Sequence, residues 1–93
     1  MNKAEKLILI KGTFNDEDAK EILMNIFSAK IHFHELKNFS SQERFGKEDE
    51  TAKKRIPDLK RSIDKIEDKI AEARAKNKKL VITSEINISL SDD

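Results

Sequence analysis

His32-Phe33-His34-Glu35 is the one cluster in the chain made of side chains that bind transition metals. On a strand, His32 and His34 would share a face, as a chelating pair must. On a helix, positions two apart point about 200° away from each other and cannot chelate together. The apolar period around them is helical, so the spacing argues for surface or boundary histidines. A metal would need a third ligand, from Glu35 or from a second chain. No metal and no cofactor is expected.

Nucleophilic catalysis fares no better. Ser40 and Ser41 lie near the histidines in sequence, but no glycine-rich elbow surrounds them, and helix capping explains Ser40. Asp64, Glu67 and Asp68 fall among lysines, as a solvated helix face does. Gly46-Lys47 lacks the upstream glycine and the following Ser/Thr of a phosphate-binding loop. No catalytic residue is expected, and no enzyme.

Binding is the remaining chemistry. Residues 51–79 hold eleven basic and five acidic side chains, a net of +6, against −2 for residues 1–50 and −3 for residues 80–93. Lys53, Lys54, Arg55, Lys60, Arg61, Lys65 and Lys69 form a candidate nucleic-acid surface, since such a row could follow a phosphate backbone. Against it, Asp58, Asp64, Glu67, Asp68 and Glu72 interrupt the run and no aromatic residue interleaves to stack bases. The chain also has 15 Lys to 4 Arg, so the residue best suited to reading bases is scarce. A second candidate is the polar stretch 38–47. There Phe39 and Phe45 flank Gln42, Glu43 and Arg44, offering apolar anchors beside donors and acceptors for a protein partner. The competing reading has both phenylalanines closing the end of a helical hairpin.

The elements that must carry these residues follow from periodicity. Residues 5–11 read as a strand stopped by Gly12, with Leu7 and Leu9 on one face and Ile8 and Ile10 on the other. Asn15 begins a helix whose first turn is acidic. In it Ala19, Ile22, Ile26, Ala29, Phe33 and Leu36 recur at intervals of 3-4-3-4-3. Residues 38–47 break this rhythm, either as a separate short turn, with Ser40 and Glu43 as a capping box and Gly46 as a helix end, or as a continuation of the helix to Phe45. Asp49 caps a second helix, in which Ala52, Ile56, Leu59, Ile63, Ile66, Ile70 and Ala73 repeat without a slip; Pro57 should kink it or mark its first turn. Residues 80–90 alternate as a half-buried strand, with Leu80, Ile82, Ile86, Ile88 and Leu90 on one side.

These pieces predict a single α+β domain over residues 1–93 in the order strand–helix–helix–strand, a long antiparallel helical hairpin packed on a small antiparallel sheet. Two strands make a weak sheet, and the second is longer than the first by about four residues. Helix 1 also carries more apolar surface than one neighbouring helix would cover. Both features predict a homodimer, formed by pairing sheet edges or by packing helix 1 on its copy. Cysteine is absent, and no signal-like or membrane-spanning run appears, so a cytoplasmic protein is expected. The expected role is a non-enzymatic homodimeric interaction module. The alternative is an accessory nucleic-acid-binding protein.

Overall fold

A computed structural model of the chain describes residues 4–92. Its order is β1 (Glu5–Phe14), α1 (Asp16–Phe45), α2 (Glu50–Ala75) and β2 (Leu80–Ile88), with the two strands antiparallel. The α+β strand–helix–helix–strand fold is therefore the one expected, though several local features depart from the sequence reading.

Both helices start where a side chain satisfies their free N–H groups. Asn15 Oδ1 accepts from the Asp18 N–H at 2.8 Å, and an Asp49 carboxylate oxygen accepts from the Ala52 N–H at 2.9 Å. The α1 helix runs unbroken for 30 residues and ends at Gly46, whose φ of 68° places it in the left-handed region that glycine tolerates best. Residues 38–45 therefore continue α1 to Phe45, the second of the two readings the sequence leaves open. The Ser40–Glu43 capping signal yields to continued i→i+4 bonding. Asn38 Oδ1 accepts the Asp49 N–H at 2.8 Å, which ties this last stretch of α1 to the start of α2. Pro57 lies inside α2, which is one helix from Glu50 to Ala75. Its end is a Schellman turn: Asn77 takes φ 54°, and the Lys78 N–H returns to the Ala73 carbonyl at 2.8 Å.

The first strand runs three residues further than its sequence suggests, because Gly12 does not stop it. Gly12 pairs with Ile82, and a Cβ there would come 3.4 Å from Phe14 Cζ, so the phenylalanine ring lies over bare backbone. The ten residues of β1 and nine of β2 match closely, which removes the expected overhang of the second strand. A bulge also falls between Ile8, opposite Glu85, and Ile10, opposite Ser84. Leu9 is the extra residue, and past it the strand changes faces. Leu7, Ile10 and Phe14 thereby share one side with Leu80, Ile82, Ile86 and Ile88. The predicted division of Leu7 and Leu9 from Ile8 and Ile10 is replaced by a single apolar face.

That face is covered from its base out to Ile10. Phe14, Leu80 and Ile82 pack with Ala19 of α1 and with Ile66, Ile70 and Ala73 of α2. Farther out, Leu7, Ile86 and Ile88 are exposed. The hairpin therefore meets the sheet at one end rather than lying along it, and the molecule is a slab of 50 × 36 × 15 Å. No large side chain among the described residues is completely buried.

Ion pairs fasten the same end. Arg74 Nε donates to Asp16 Oδ2 at 2.8 Å, joining the end of α2 to the start of α1 and holding the Asp16 carboxyl below its ordinary range. Glu72 accepts from Lys76 at 2.8 Å and from Lys69 at 3.0 Å. Those two hydrogen bonds lower its pKa from 4.5 to about 2. A depressed carboxylate stabilises the fold fully above its unfolded value and loses that contribution as pH falls through the folded one. The Glu72 contribution should therefore fade between pH 4.5 and about 2. In melting curves across that window Glu72→Gln is expected to fall less steeply than the parent. Curves of equal slope would show that the two lysines give nothing to the folded state.

Candidate interaction surfaces

The two histidines part as helical geometry requires. His32 is exposed, whereas His34 is only 5% exposed and lies within the hairpin, so it is no surface residue. Its Nε2 has no hydrogen-bond partner among the described residues, and its ring meets Phe33 edge-on at 5.5 Å. No three His, Asp or Glu side chains among the described residues gather as a metal site needs.

His34 also reveals which side of α1 the hairpin uses. In the outer half of the helix the sheltered positions are Ile31, His34, Asn38 and Ser41. Ala29, Phe33 and Leu36, from the regular stripe, are exposed, the last two at 48% and 54%. Ile22 and Ile26 are half-buried. The period in the sequence is real, but only its inner end, at Ala19, packs with α2; in the outer half the sheltered side is a different and more polar one. Over the exposed Phe33 ring stand the ammonium groups of Lys30 and Lys37, at 5.1 and 5.8 Å from its centre. Beside it an apolar depression is lined by Ile26, Phe27, Ala29, Lys30, Phe33 and Leu59.

Phe39, Gln42, Glu43, Arg44 and Phe45 all lie on the last two turns of α1 and all are exposed, with Phe39 at 61% and Phe45 at 70%. Neither phenylalanine closes the hairpin end. At 100° per residue Phe39 and Phe45 stand about 120° apart, so the five residues wrap round the helix rather than forming one flat patch. Arg44 makes no ion pair among the described residues, which leaves its guanidinium free for a partner.

Every residue of the basic set on α2 is exposed. Three of the seven are engaged along the helix itself: Arg55 and Arg61 with Asp58, and Lys69 with Glu72. Lys53, Lys54, Lys60 and Lys65 remain without an ion pair among the described residues. Lys53 and Lys60 share one side of α2, and Lys54 and Lys65 lie roughly 100° further round. A continuous phosphate-tracking row is therefore cut in two, and Asp58, Asp68 and Glu72 stand within it.

Comparison with known proteins finds no matching family model, no matching curated relative and no matching solved structure. No helix among the described residues is long and apolar enough to cross a membrane.

Proposed function

We propose that this chain is a non-enzymatic interaction module that works as a homodimer and offers the outer end of its helical hairpin to a protein partner. One observation carries the reading. The chain exposes 7685 Å². A folded monomer of its 10.7 kDa mass would expose about 5,500 Å². The excess, about 2,200 Å², exceeds the ~800 Å² that each partner contributes to a stable interface of ordinary size. The radius of gyration agrees in direction, at 16.7 Å against about 12 Å for a compact domain of this length.

Much of the excess is apolar: Leu7, Ile86 and Ile88 on the ribbon, and Phe33 and Leu36 on α1, are open to solvent. Leaving such side chains wet forfeits about 25 cal/mol for each Å² that a partner could cover. A second copy is always present at the chain's own concentration, which makes it the natural first partner. Phe39, Arg44 and Phe45, at the far end of the hairpin from the base core, then remain to serve a different protein.

Light scattering during gel filtration at micromolar concentration tests the reading. The expected particle has twice the chain mass of 10.7 kDa. A stable particle of one chain mass removes the homodimer and the module with it.

A further inference from the structure

We propose that α1 is the dimer contact: two copies lay their first helices antiparallel across a two-fold axis near Ala29, and each Phe33 enters the other's apolar depression. This deepens the homodimer reading and rests on it.

The spacing of Ala19, Ile22, Ile26, Ala29, Phe33 and Leu36 is that of a seam where one helix packs on another. Inside the chain, α2 covers the inner end of this stripe, where Ala19 is buried with Ile70 and Ala73, but farther out Ile31, His34 and Asn38 are the sheltered positions and Ala29, Phe33 and Leu36 stay exposed. A seam whose outer half its own chain leaves open suits a helix from elsewhere. The order of sizes then selects the copy. Ala29 is the small residue in the middle, with Ile22 and Ile26 on one side of it and Phe33 and Leu36 on the other. An isologous contact pairs each position with its mirror about the axis, so large residues meet across the ends and the small one marks the crossing. With the axis at Ala29, the copy's Phe33 arrives opposite the turn holding Ile22 and Ile26, beside the depression that includes Ile26, Phe27, Ala29 and Leu59.

Charge favours the antiparallel sense. Asp16, Glu17 and Asp18 crowd the first turn of α1, and Arg44 lies in its last. Antiparallel pairing keeps the two acidic first turns apart and opposes the helix dipoles, whereas parallel pairing stacks like on like. Edge pairing through β1 is disfavoured by the bulge at Leu9, which bends the strand and breaks the regular ladder a second copy would extend.

The chain has no cysteine, so a single introduced thiol reports on one position alone. Ala29→Cys is expected to form a covalent dimer under mild oxidation, because residues at a close helix crossing fall within disulfide range. Asp64→Cys, on the exposed side of α2, should stay monomeric on the same denaturing gel. Phe33→Glu should keep its helical circular dichroism while the dimer dissociates about a hundredfold more readily. A parent chain that is monomeric overturns this contact and the homodimer together. A dimeric parent whose Ala29→Cys variant does not cross-link, or whose Phe33→Glu variant stays equally dimeric, overturns the α1 contact alone.

Discussion

Ile70→Ala is expected to cost about 2–5 kcal/mol, the range for removing most of a buried isoleucine. For a chain of this size each kcal/mol moves the melting temperature by about 4–8 °C, so a loss of about 10 °C or more should appear. Ile70 is 3% exposed and sits in the cluster that joins both helices to the sheet. Its neighbours Ala19 and Ala73 are small, and the turn at Asn77 and the Arg74–Asp16 ion pair hold their backbones in place. The site therefore has little with which to fill the cavity. Val81, one residue into β2 and 80% exposed, is the control, and Val81→Ala should stay within about 0.5 kcal/mol. Melts should be run at one fixed protein concentration, since association would make the midpoint concentration-dependent. Equal losses at the two positions would show that the base cluster is not what holds hairpin to ribbon.

That contrast between base and outer ribbon also marks what the residues alone could reveal. The caps at Asn15 and Asp49 and the helix end at Gly46 were legible because each acts within three or four residues of itself. The alternation of β2 was legible for a similar reason, since Leu80, Ile82, Ile86 and Ile88 are in phase whatever lies beneath them. The faces of β1 were not. Leu7 and Ile10 come to one side only because the strand bulges at Leu9 against β2, more than seventy positions away in sequence. The extent of β1 was hidden too, since Gly12 resembles a stop until its pairing with Ile82 is seen.

The candidate surfaces divide in the same way. Helical spacing correctly separated His32 from His34, but only the position of α2 decides which one is buried. The stripe through Phe33 was visible as a period, while its exposure depends on α2 lying against Ile31, His34 and Asn38 instead. Phe39 and Phe45 resembled a connection because Asn38, Ser40 and Ser41 are poor helix formers. One of those residues, Asn38, is occupied in bonding the first residue before α2. A polar side chain serving a distant backbone group cannot be told in sequence from one that breaks a helix.

His34 carries the other large effect, and here the expected sign is a gain. An imidazole nitrogen buried without a partner forfeits the hydrogen bond it would make to water, a cost of about 1–3 kcal/mol. Leucine at this position removes that atom and fills a space of comparable size with carbon. His34→Leu is therefore expected to stabilise the chain by about 1–2 kcal/mol near neutral pH, a rise of several degrees in the melting temperature. His32→Leu, changed at an exposed position two residues earlier, should move it by less than about 0.5 kcal/mol. The comparison isolates burial, since both substitutions replace the same side chain on the same helix. Phe33 could complicate it, because its edge contact with the His34 ring is lost in the variant, but such a contact is worth only about 0.5–1.5 kcal/mol and leucine recovers part of it by packing. A melting temperature that falls instead would mean that the imidazole is bonded in solution, and that the polar stretch from His34 to Ser41 is a satisfied network holding the two helices in register.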